Sequence, residues 1–368
     1  MNFEELYKTD LHCHLDGSNL LSTCVEIINQ QKIVTKHWSL SDIEQNKITA
    51  EFLGHIVHAR TDMKDLLEYL RAFDVTCACM QTEENLVRVV TETIQQASIQ
   101  NILHLELRYA PSLHTQNNLS QHQVQQIVSQ AAHNASVKYN VSVTIIICTM
   151  KLFSPSSPEN TETFSLYKNT YPVPIAYDQA GPKLFQFSDF KEQIEQINVP
   201  ITLHAGESSG AEAVRQAVNV GALRIGHGVR SQESVEVMRL IKEQKTVLEM
   251  CPTSNTQTNV FGRISKTLED YPLKKYLDFG IRVTVNTDNP MISQCTVASE
   301  LKLLTEKLHL EPVDILLILN FGFDAAFNPN AEEKEKLRLK AFKWNAKCLS
   351  KYDLQIEDKF HDRMKLFK

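Results

Sequence analysis

The sequence predicts an α/β fold, a (β/α)8 TIM barrel with a helical insertion after strand 1 and a helical C-terminal region. Short apolar segments recur eight times along the chain, helical segments separate them, and polar residues suited to chemistry follow several of them. Val-, Ile- and Leu-rich strands that alternate with helices indicate a parallel sheet covered on both faces. Eight such units in 368 residues favour a barrel over the alternative, an open doubly wound sheet.

The apolar segments predict the strands in chain order. They are Leu11–Leu15, Ile102–Tyr109, Val141–Cys148, Val173–Tyr177, Ile201–His204, Leu223–His227, Thr246–Met250 and Ile281–Asn286. Between the strands, segments such as Glu83–Ser98 and Gln121–Tyr139 carry apolar residues at helical spacing.

One connection is much longer than a barrel normally needs, because about eighty residues separate the first two strands. Most of it is predicted to be helical, over Leu20–Gln30, Ala50–Ala59 and Lys64–Cys77. We therefore predict a single domain over residues 1–368, with a helical lid insertion at residues 20–100 that lies over the barrel mouth. The tail from Ser299 onward is also predicted to be helical.

Composition excludes several classes of protein. The net charge of -6 and the lack of a dense basic stripe argue against a nucleic-acid partner. No stretch is apolar enough to span a membrane, and residues 1–8 lack the apolar run of a signal peptide. The eight cysteines show no short-spaced framework, so we expect reduced thiols and a cytoplasmic protein. The oligomeric state does not follow from the sequence.

The first strand ends with two histidines one residue apart, His12 and His14. Side chains alternate between the two faces of a strand, so both imidazoles point the same way and can bind one metal ion. His204 ends strand five and Asp288 follows strand eight. Active residues of barrels collect at these strand ends. Three neutral nitrogens and one anionic oxygen suit zinc, with a position left for water.

Two further residues are predicted to handle protons. His227 ends strand six, and imidazole titrates near neutrality, so it is the candidate that orients the water or takes its proton. Glu207 lies three residues after His204 and reaches the same pocket, which suits a proton donor to the substrate. Ser209 and Glu212 predict a capping box for the next helix, so Glu207 is not needed as a cap.

Seven motifs occur in a specific order along the chain: LHCHLDG, LELRYAP, DQAG, LHAGE, RIGHG, CPTSN and VNTDNP. From Thr9 to about Asn345 the chain resembles the adenosine deaminase family of metal-dependent amidohydrolases. The resemblance implies a barrel with one zinc ion per chain. It also implies a small-molecule purine nucleoside partner. The implied reaction, in purine salvage, is hydrolytic deamination of adenosine and 2′-deoxyadenosine to inosine and 2′-deoxyinosine.

The resemblance assigns roles to matching residues. The zinc ligands of the family match His12, His14, His204 and Asp288. Glu207 matches the proton donor to purine N1, and His227 matches the residue that orients and deprotonates the zinc-bound water.

Substrate contacts carry over in the same way. Asp16 matches a carboxylate that binds the ribose, and Gly181 matches a backbone donor to purine N3. Asn289 stands where many relatives have an aspartate that meets purine N7, and an amide can donate the same hydrogen bond. An apolar lid over the purine matches Leu66, Tyr69, Leu70 and Phe73.

Two alternatives remain open at this point, and a third is excluded. The nearest is a deaminase of adenine or of a modified adenosine, against which Asp16 argues because a free base has no ribose. A serine hydrolase would use Ser208 in the G-x-S-x-G pattern of residues 206–210, with Asp288 and His309. A second deaminase architecture needs H-x-E and P-C-x-x-C, and only His104-Leu-Glu106 is present.

Overall fold

A computed structural model gives the fold of this chain, described for residues 1–60, 63, 65–181, 184–259 and 268–367. Residue 64, where one predicted helix begins, therefore lies outside the described residues. The strands are β1 (Lys8–His14), β2 (Ile102–Tyr109), β3 (Ser142–Met150), β4 (Ile175–Ala180), β5 (Thr202–Ala205), β6 (Arg224–His227), β7 (Val247–Met250) and β8 (Val283–Val285). Each overlaps a strand predicted from the sequence, and the TIM-barrel prediction is confirmed.

The strands pair in parallel and in chain order. Two continuous ladders form, β1-β2-β3-β4 and β5-β6-β7-β8. A single bridge links Tyr177 in β4 to Ile201 just before β5, and another links Cys13 in β1 to Asp288 just after β8. The ladders themselves are therefore not continuous around the barrel. The second bridge brings the end of the last strand beside the histidines of the first.

The helices surround the strands and fill the insertion. They are α1 (Leu21–Gln31), α2 (Leu40–Asn46), α3 (Ala50–Val57), α4 (Leu66–Tyr69), α5 (Phe73–Ala78), α6 (Glu83–Ile99), α7 (Gln121–Tyr139), α8 (Pro158–Leu166), α9 (Lys191–Ile194), α10 (Ala211–Asn219), α11 (Val235–Glu243), α12 (Pro252–Gln257), α13 (Leu273–Phe279), α14 (Pro290–Ser293), α15 (Val297–Leu308), α16 (Pro312–Ala325), α17 (Ala331–Leu349) and α18 (Ile356–Met364). None of the described helices is long and apolar enough to cross a membrane.

The first strand begins three residues earlier than the apolar pattern predicts. Lys8 opens β1 and is fully buried, which the sequence alone disfavours. Its ammonium donates to the backbone carbonyls of Leu6 (2.6 Å), Phe3 (3.1 Å) and Glu4 (3.2 Å). These three acceptors satisfy the donors of the buried cation, so a lysine can begin the strand.

The insertion has a small apolar core of its own, separate from that of the barrel. It packs against the barrel mouth through Ile292 of α14, whose carbonyl accepts a hydrogen bond from the backbone of Ala59 (2.8 Å). The Tyr69 hydroxyl is hydrogen bonded to the Ser293 hydroxyl (2.7 Å). These contacts hold α4 above the C-terminal ends of the strands.

The C-terminal helices cover the side and the floor of the barrel. Helix α16 packs against β1 and β8. At its end, the Ala325 carbonyl accepts from Arg224 (2.7 Å), and the Phe327 amide donates to Glu106 (2.6 Å). The strand ends opposite this floor are therefore the ones left to form a site.

Candidate active site

A cavity opens at the C-terminal ends of the strands. Its wall combines apolar side chains of the insertion with polar residues from the strand ends: His14, Leu66, Tyr69, Leu70, Phe73, Lys151, Gly181, His204, Glu207, His227, Asp288 and Asn289 are among them.

Four side chains meet at this end of the barrel, as their positions in and after the strands predict: His14, His204 and Asp288 line the cavity, and the buried His12 lies beside them. Nε2 of His14 lies 3.2 Å from Nε2 of His204 and 3.3 Å from Oδ1 of Asp288. Nε2 of His12 lies 3.5 Å from the same Asp288 oxygen. All four ligand atoms lie within 4.8 Å of one another. This is the spacing that ligands of a single ion need.

The donor set fits a divalent cation of the zinc type. Nε2 of His12 is buried and has no hydrogen-bond partner, although an unsatisfied buried nitrogen is costly. The nitrogens of His14 and His204 face each other and face a carboxylate, so a cation between them would satisfy every group at once. Imidazole nitrogen with carboxylate oxygen is a zinc ligand set.

Two of these histidines are oriented by buried carboxylates. Glu249 lies 2.8 Å from Nδ1 of His12, and Asp178 lies 2.8 Å from Nδ1 of His204. The hydrogen bond to Glu249 holds the proton of His12 on Nδ1 and turns the lone pair of Nε2 toward the position a cation would take, and the ion pair with Asp178 attracts the same side of the His204 ring. Gly226 makes room for this arrangement, because a Cβ at that position would lie 2.8 Å from Cε1 of His12.

The two carboxylates belong to a buried charge column inside the barrel, formed by Glu106, Arg224, Glu249, Arg108 and Asp178. Arg224 donates to Glu106 (3.1 Å) and to Glu249 (2.6 Å). Arg108 donates to Glu249 (2.7 Å) and to Asp178 (3.0 Å). Burial alone would raise the pKa of Glu249, but the two guanidinium groups outweigh it and hold that pKa well below its usual range.

Asp288 adopts a conformation that few aspartates adopt. Its φ is 61°, in the left-handed region, and the Ser254 hydroxyl donates to its Oδ2 (2.5 Å). Burial opposes its ionisation, but His12, His14 and His227 hold the pKa of this carboxyl below its usual value. Strained backbone of this kind concentrates at functional sites.

His227 also has a positive φ, 66°. Its Nδ1 lies 3.0 Å from the Asn255 amide nitrogen, and the Tyr271 hydroxyl donates to Asn255 Oδ1 (3.0 Å). Burial lowers the pKa of His227, against the attraction of Glu207, so the ring is neutral at neutral pH. A neutral, oriented imidazole in the cavity wall can accept a proton.

Glu207 points into the same cavity. Its Oε2 lies 3.7 Å from Nε2 of His227, and the Thr258 hydroxyl donates to its Oε1 (3.3 Å). Gly206 allows the chain to turn here, with φ 71° and no space for a Cβ, which would lie 2.6 Å from Val214.

The predicted capping box beside Glu207 is wrong. Helix α10 begins at Ala211, and its N-cap residue is Gly210, which has no side chain that could cap the helix. Instead, Glu233 accepts from the Ala211 amide (3.4 Å) across the turn that follows β6. The conclusion about Glu207 is unaffected, because another carboxylate satisfies the helix end.

Most of the predicted substrate-binding residues line the cavity, but one of them does not. Gly181, Asn289 and the four predicted lid residues line the cavity. Asp16 does not line this cavity among the described residues. It is 3% exposed and lies beside His14, with Oδ1 4.0 Å from Nδ1 of that ring and without a hydrogen-bond partner. Burial raises the pKa of Asp16 to about 7.

The alternative serine triad is not assembled. Ser208 lines the cavity, but His309 follows α15 and lines a separate surface groove with Glu269 and Asp270. His104 and Glu106, the other rival motif, lie in β2 in contact with each other (3.1 Å), with Glu106 bonded to Phe327 at the floor. They therefore belong to the barrel floor.

Several residues of the site were not predicted from the sequence, although they stand in recognisable motifs or in unusual positions. Arg108 and Asp178 stand in the LELRYAP and DQAG motifs, and Ser254 and Asn255 stand in CPTSN. Glu249 is a charged residue inside the apolar strand β7. A charge in the middle of a barrel strand requires a buried partner, which is the signal that could have identified it.

Comparison with known proteins agrees with this geometry. The profile of the family described as adenosine deaminase matches residues 7–344. An adenosine deaminase from Haemophilus ducreyi is 35% identical over 337 residues, which cover 89% of this chain and 94% of that protein.

Solved structures share the fold at lower identity. An adenine deaminase from Arthrobacter aurescens superposes with a TM-score of 0.77 at 19% identity, over 92% of this chain and 99% of that one. An amidohydrolase from Burkholderia ambifaria with bound zinc superposes with a TM-score of 0.79 at 17% identity, over 95% and 93% of the two chains. At such identities the likeness supports the barrel fold.

Proposed function

The chain belongs to the adenosine deaminase family of metal-dependent hydrolases, and from this premise we propose that it deaminates adenosine and 2′-deoxyadenosine in purine salvage. The observation that carries the proposal is the convergence of the four metal-type ligands, three of which line the same cavity as His227 and Glu207. Inosine or 2′-deoxyinosine and ammonia are the products.

We propose that one zinc ion per chain is held by His12, His14, His204 and Asp288. The unpartnered Nε2 of His12 and the neutral-nitrogen and carboxylate donor set support this choice. When bound, zinc supplies a water that ionises near neutral pH. Asp178 and Glu249 keep two of the ligands in the required tautomer.

The proton transfers are assigned to His227 and Glu207. His227 orients the attacking water and accepts its proton, which suits a neutral buried imidazole. Glu207 donates a proton to purine N1 as water adds to C6. His227 then gives its proton to the amino group, ammonia leaves C6, and the hydroxyl at C6 returns a proton to Glu207 and becomes a carbonyl. The 3.7 Å between the two side chains supports their action on adjacent atoms of one ring.

The remaining contacts orient the nucleoside. We propose that the Gly181 backbone donates to purine N3, that Asn289 donates to N7, and that Asp16 binds a ribose hydroxyl. The unpartnered Oδ1 of Asp16 is an acceptor suited to that hydroxyl. The single domain 1–368 would carry residues 20–100 as a lid, with its apolar contacts to the purine from Leu66, Tyr69, Leu70 and Phe73.

The experiment pairs metal analysis with activity. Purified protein should contain one zinc per chain, and adenosine should lose its absorbance as inosine forms. Chelation should abolish turnover, and stoichiometric zinc should restore it. Turnover that persists in metal-free protein would contradict the proposal.

A second candidate substrate is adenine. The observation in its favour is that Asp16 does not line the cavity, whereas a nucleoside would need this carboxylate in the cavity wall to bind its ribose. Assays of adenosine, adenine and an N6-substituted adenosine side by side separate the candidates. A kcat/KM for adenine above that for adenosine would reverse our choice.

A further inference from the structure

A second cluster of metal-ligating side chains lies beside the first. Asp16 is in the turn that follows β1, Cys77 is in α5, and His114 ends the turn that follows β2. Cys77 Sγ lies 3.8 Å from Asp16 Oδ2, and His114 Nε2 lies 3.9 Å from the same oxygen. The three ligand atoms lie within 4.8 Å of one another.

Two members of this cluster are unsatisfied. His114 is 0% exposed, and neither of its ring nitrogens has a side-chain hydrogen-bond partner among the described residues. Asp16 Oδ1 is also buried without a partner. Buried polar atoms without partners destabilise a fold, so groups that converge in this way point to a missing ligand between them.

We propose that Asp16, Cys77 and His114 bind a second divalent cation of the zinc class, distinct from the ion held by the histidine and aspartate set. Thiolate sulfur and imidazole nitrogen select zinc over magnesium or calcium, which take oxygen ligands. Three protein ligands leave a fourth position for water. Cys77 is partly exposed, which gives an ion access to the buried pair.

Occupation of this site would have two consequences. The ion would join the insertion, through Cys77, to the barrel, through Asp16 and His114. It would also occupy the carboxylate that we assign to the ribose. Excess zinc should therefore compete with the nucleoside, a consequence that rests on the proposed function, whereas binding itself does not.

The test uses the holoenzyme with one zinc per chain, titrated with Co²⁺. We expect one further equivalent to bind and to produce the ultraviolet charge-transfer absorption of a cobalt–thiolate bond. Cys77→Ala should lose that equivalent and the absorption but keep the first zinc. His114→Gln should weaken the second site. Cys79→Ala is the matched control, because it removes a buried thiol two residues away that is not in the cluster.

Activity provides the second measurement. Excess zinc should raise KM for adenosine in the natural protein and in Cys79→Ala, and it should not do so in Cys77→Ala. A titration that stops at one metal, or a thiolate absorption that survives Cys77→Ala, overturns the second site and leaves the deaminase proposal intact. Protein that binds both ions yet leaves adenosine unchanged supports the site and contradicts the proposed function. Circular dichroism checks folding, and His114→Gln decides the matter if Cys77→Ala is unstable.

Discussion

Glu249→Gln should weaken metal binding although Glu249 is not one of the proposed ligands. The carboxylate is fully buried and serves four groups. Its Oε1 accepts from Thr202 (2.8 Å) and Arg224 (2.6 Å), and its Oε2 accepts from Arg108 (2.7 Å) and pairs with His12 (2.8 Å). Glutamine has the same shape but offers an NH2 group in place of one oxygen. In one orientation of the amide, its NH2 group faces the donors of Thr202 and Arg224; in the other, it faces the donors of Arg108 and His12. Either way, two hydrogen bonds are lost.

The structure sets the expected magnitude. Two lost hydrogen bonds to charged groups, at about 1.5–3 kcal/mol each, give about 3–6 kcal/mol of lost stability. Breaking a buried ion pair costs a similar amount, about 3–5 kcal/mol. Loss of the partner that orients a metal-binding histidine lowers metal affinity about 10–100-fold. That factor corresponds to about 1.4–2.7 kcal/mol.

Glu106→Gln is the matched control. Glu106 is equally buried and also pairs with Arg224, but its partners lie at the barrel floor and include no predicted zinc ligand. Urea unfolding followed by circular dichroism should show a comparable loss of stability in both variants. Competition with a chromophoric chelator should show weaker zinc binding in Glu249→Gln alone. Equal loss of zinc affinity in the two variants would refute the proposed action through His12.

Four substitutions test the other roles. Glu207→Gln should lower kcat about 10²–10⁴-fold with zinc retained, and near-normal turnover would remove it as the proton donor. His227→Ala should also keep its metal and lose activity on this scale, as measured by metal analysis beside steady-state kinetics. Asp16→Ala should raise KM for adenosine about 10–100-fold, the value of a hydrogen bond to a charged group, and unchanged KM would argue against ribose binding. Asn289→Asp should keep kcat within about tenfold at pH values where the new carboxyl group is protonated and can donate to N7, and a pH–rate profile should show activity falling as that group ionises.

The sequence predicted the barrel and the convergence of His12, His14, His204 and Asp288 because both depend on strand positions. His12 and His14 share a strand face, and His204 and Asp288 follow other apolar strands, so the parallel order of the strands brings all four to one end. No pairwise contact had to be known for this prediction.

The sequence did not predict what depends on distant side-chain partners. Lys8 extends β1 because backbone carbonyls receive its ammonium, and Glu249 is tolerated in β7 because two arginines from other strands neutralise it. Helix α2 was also missed, although Ser39 and Asp42 form a capping box at its start. That signal was local and could have been read.

The charge column restricts how this barrel can change. A core of leucine and isoleucine tolerates replacement one residue at a time, because neighbouring side chains can shift to fill space. Here, each arginine bridges two carboxylates, so the loss of one arginine leaves a buried carboxylate without a guanidinium partner, and viable variants must exchange several positions together. We therefore expect substitutions that raise thermal stability to lie on the outer helices, with the charge column unchanged.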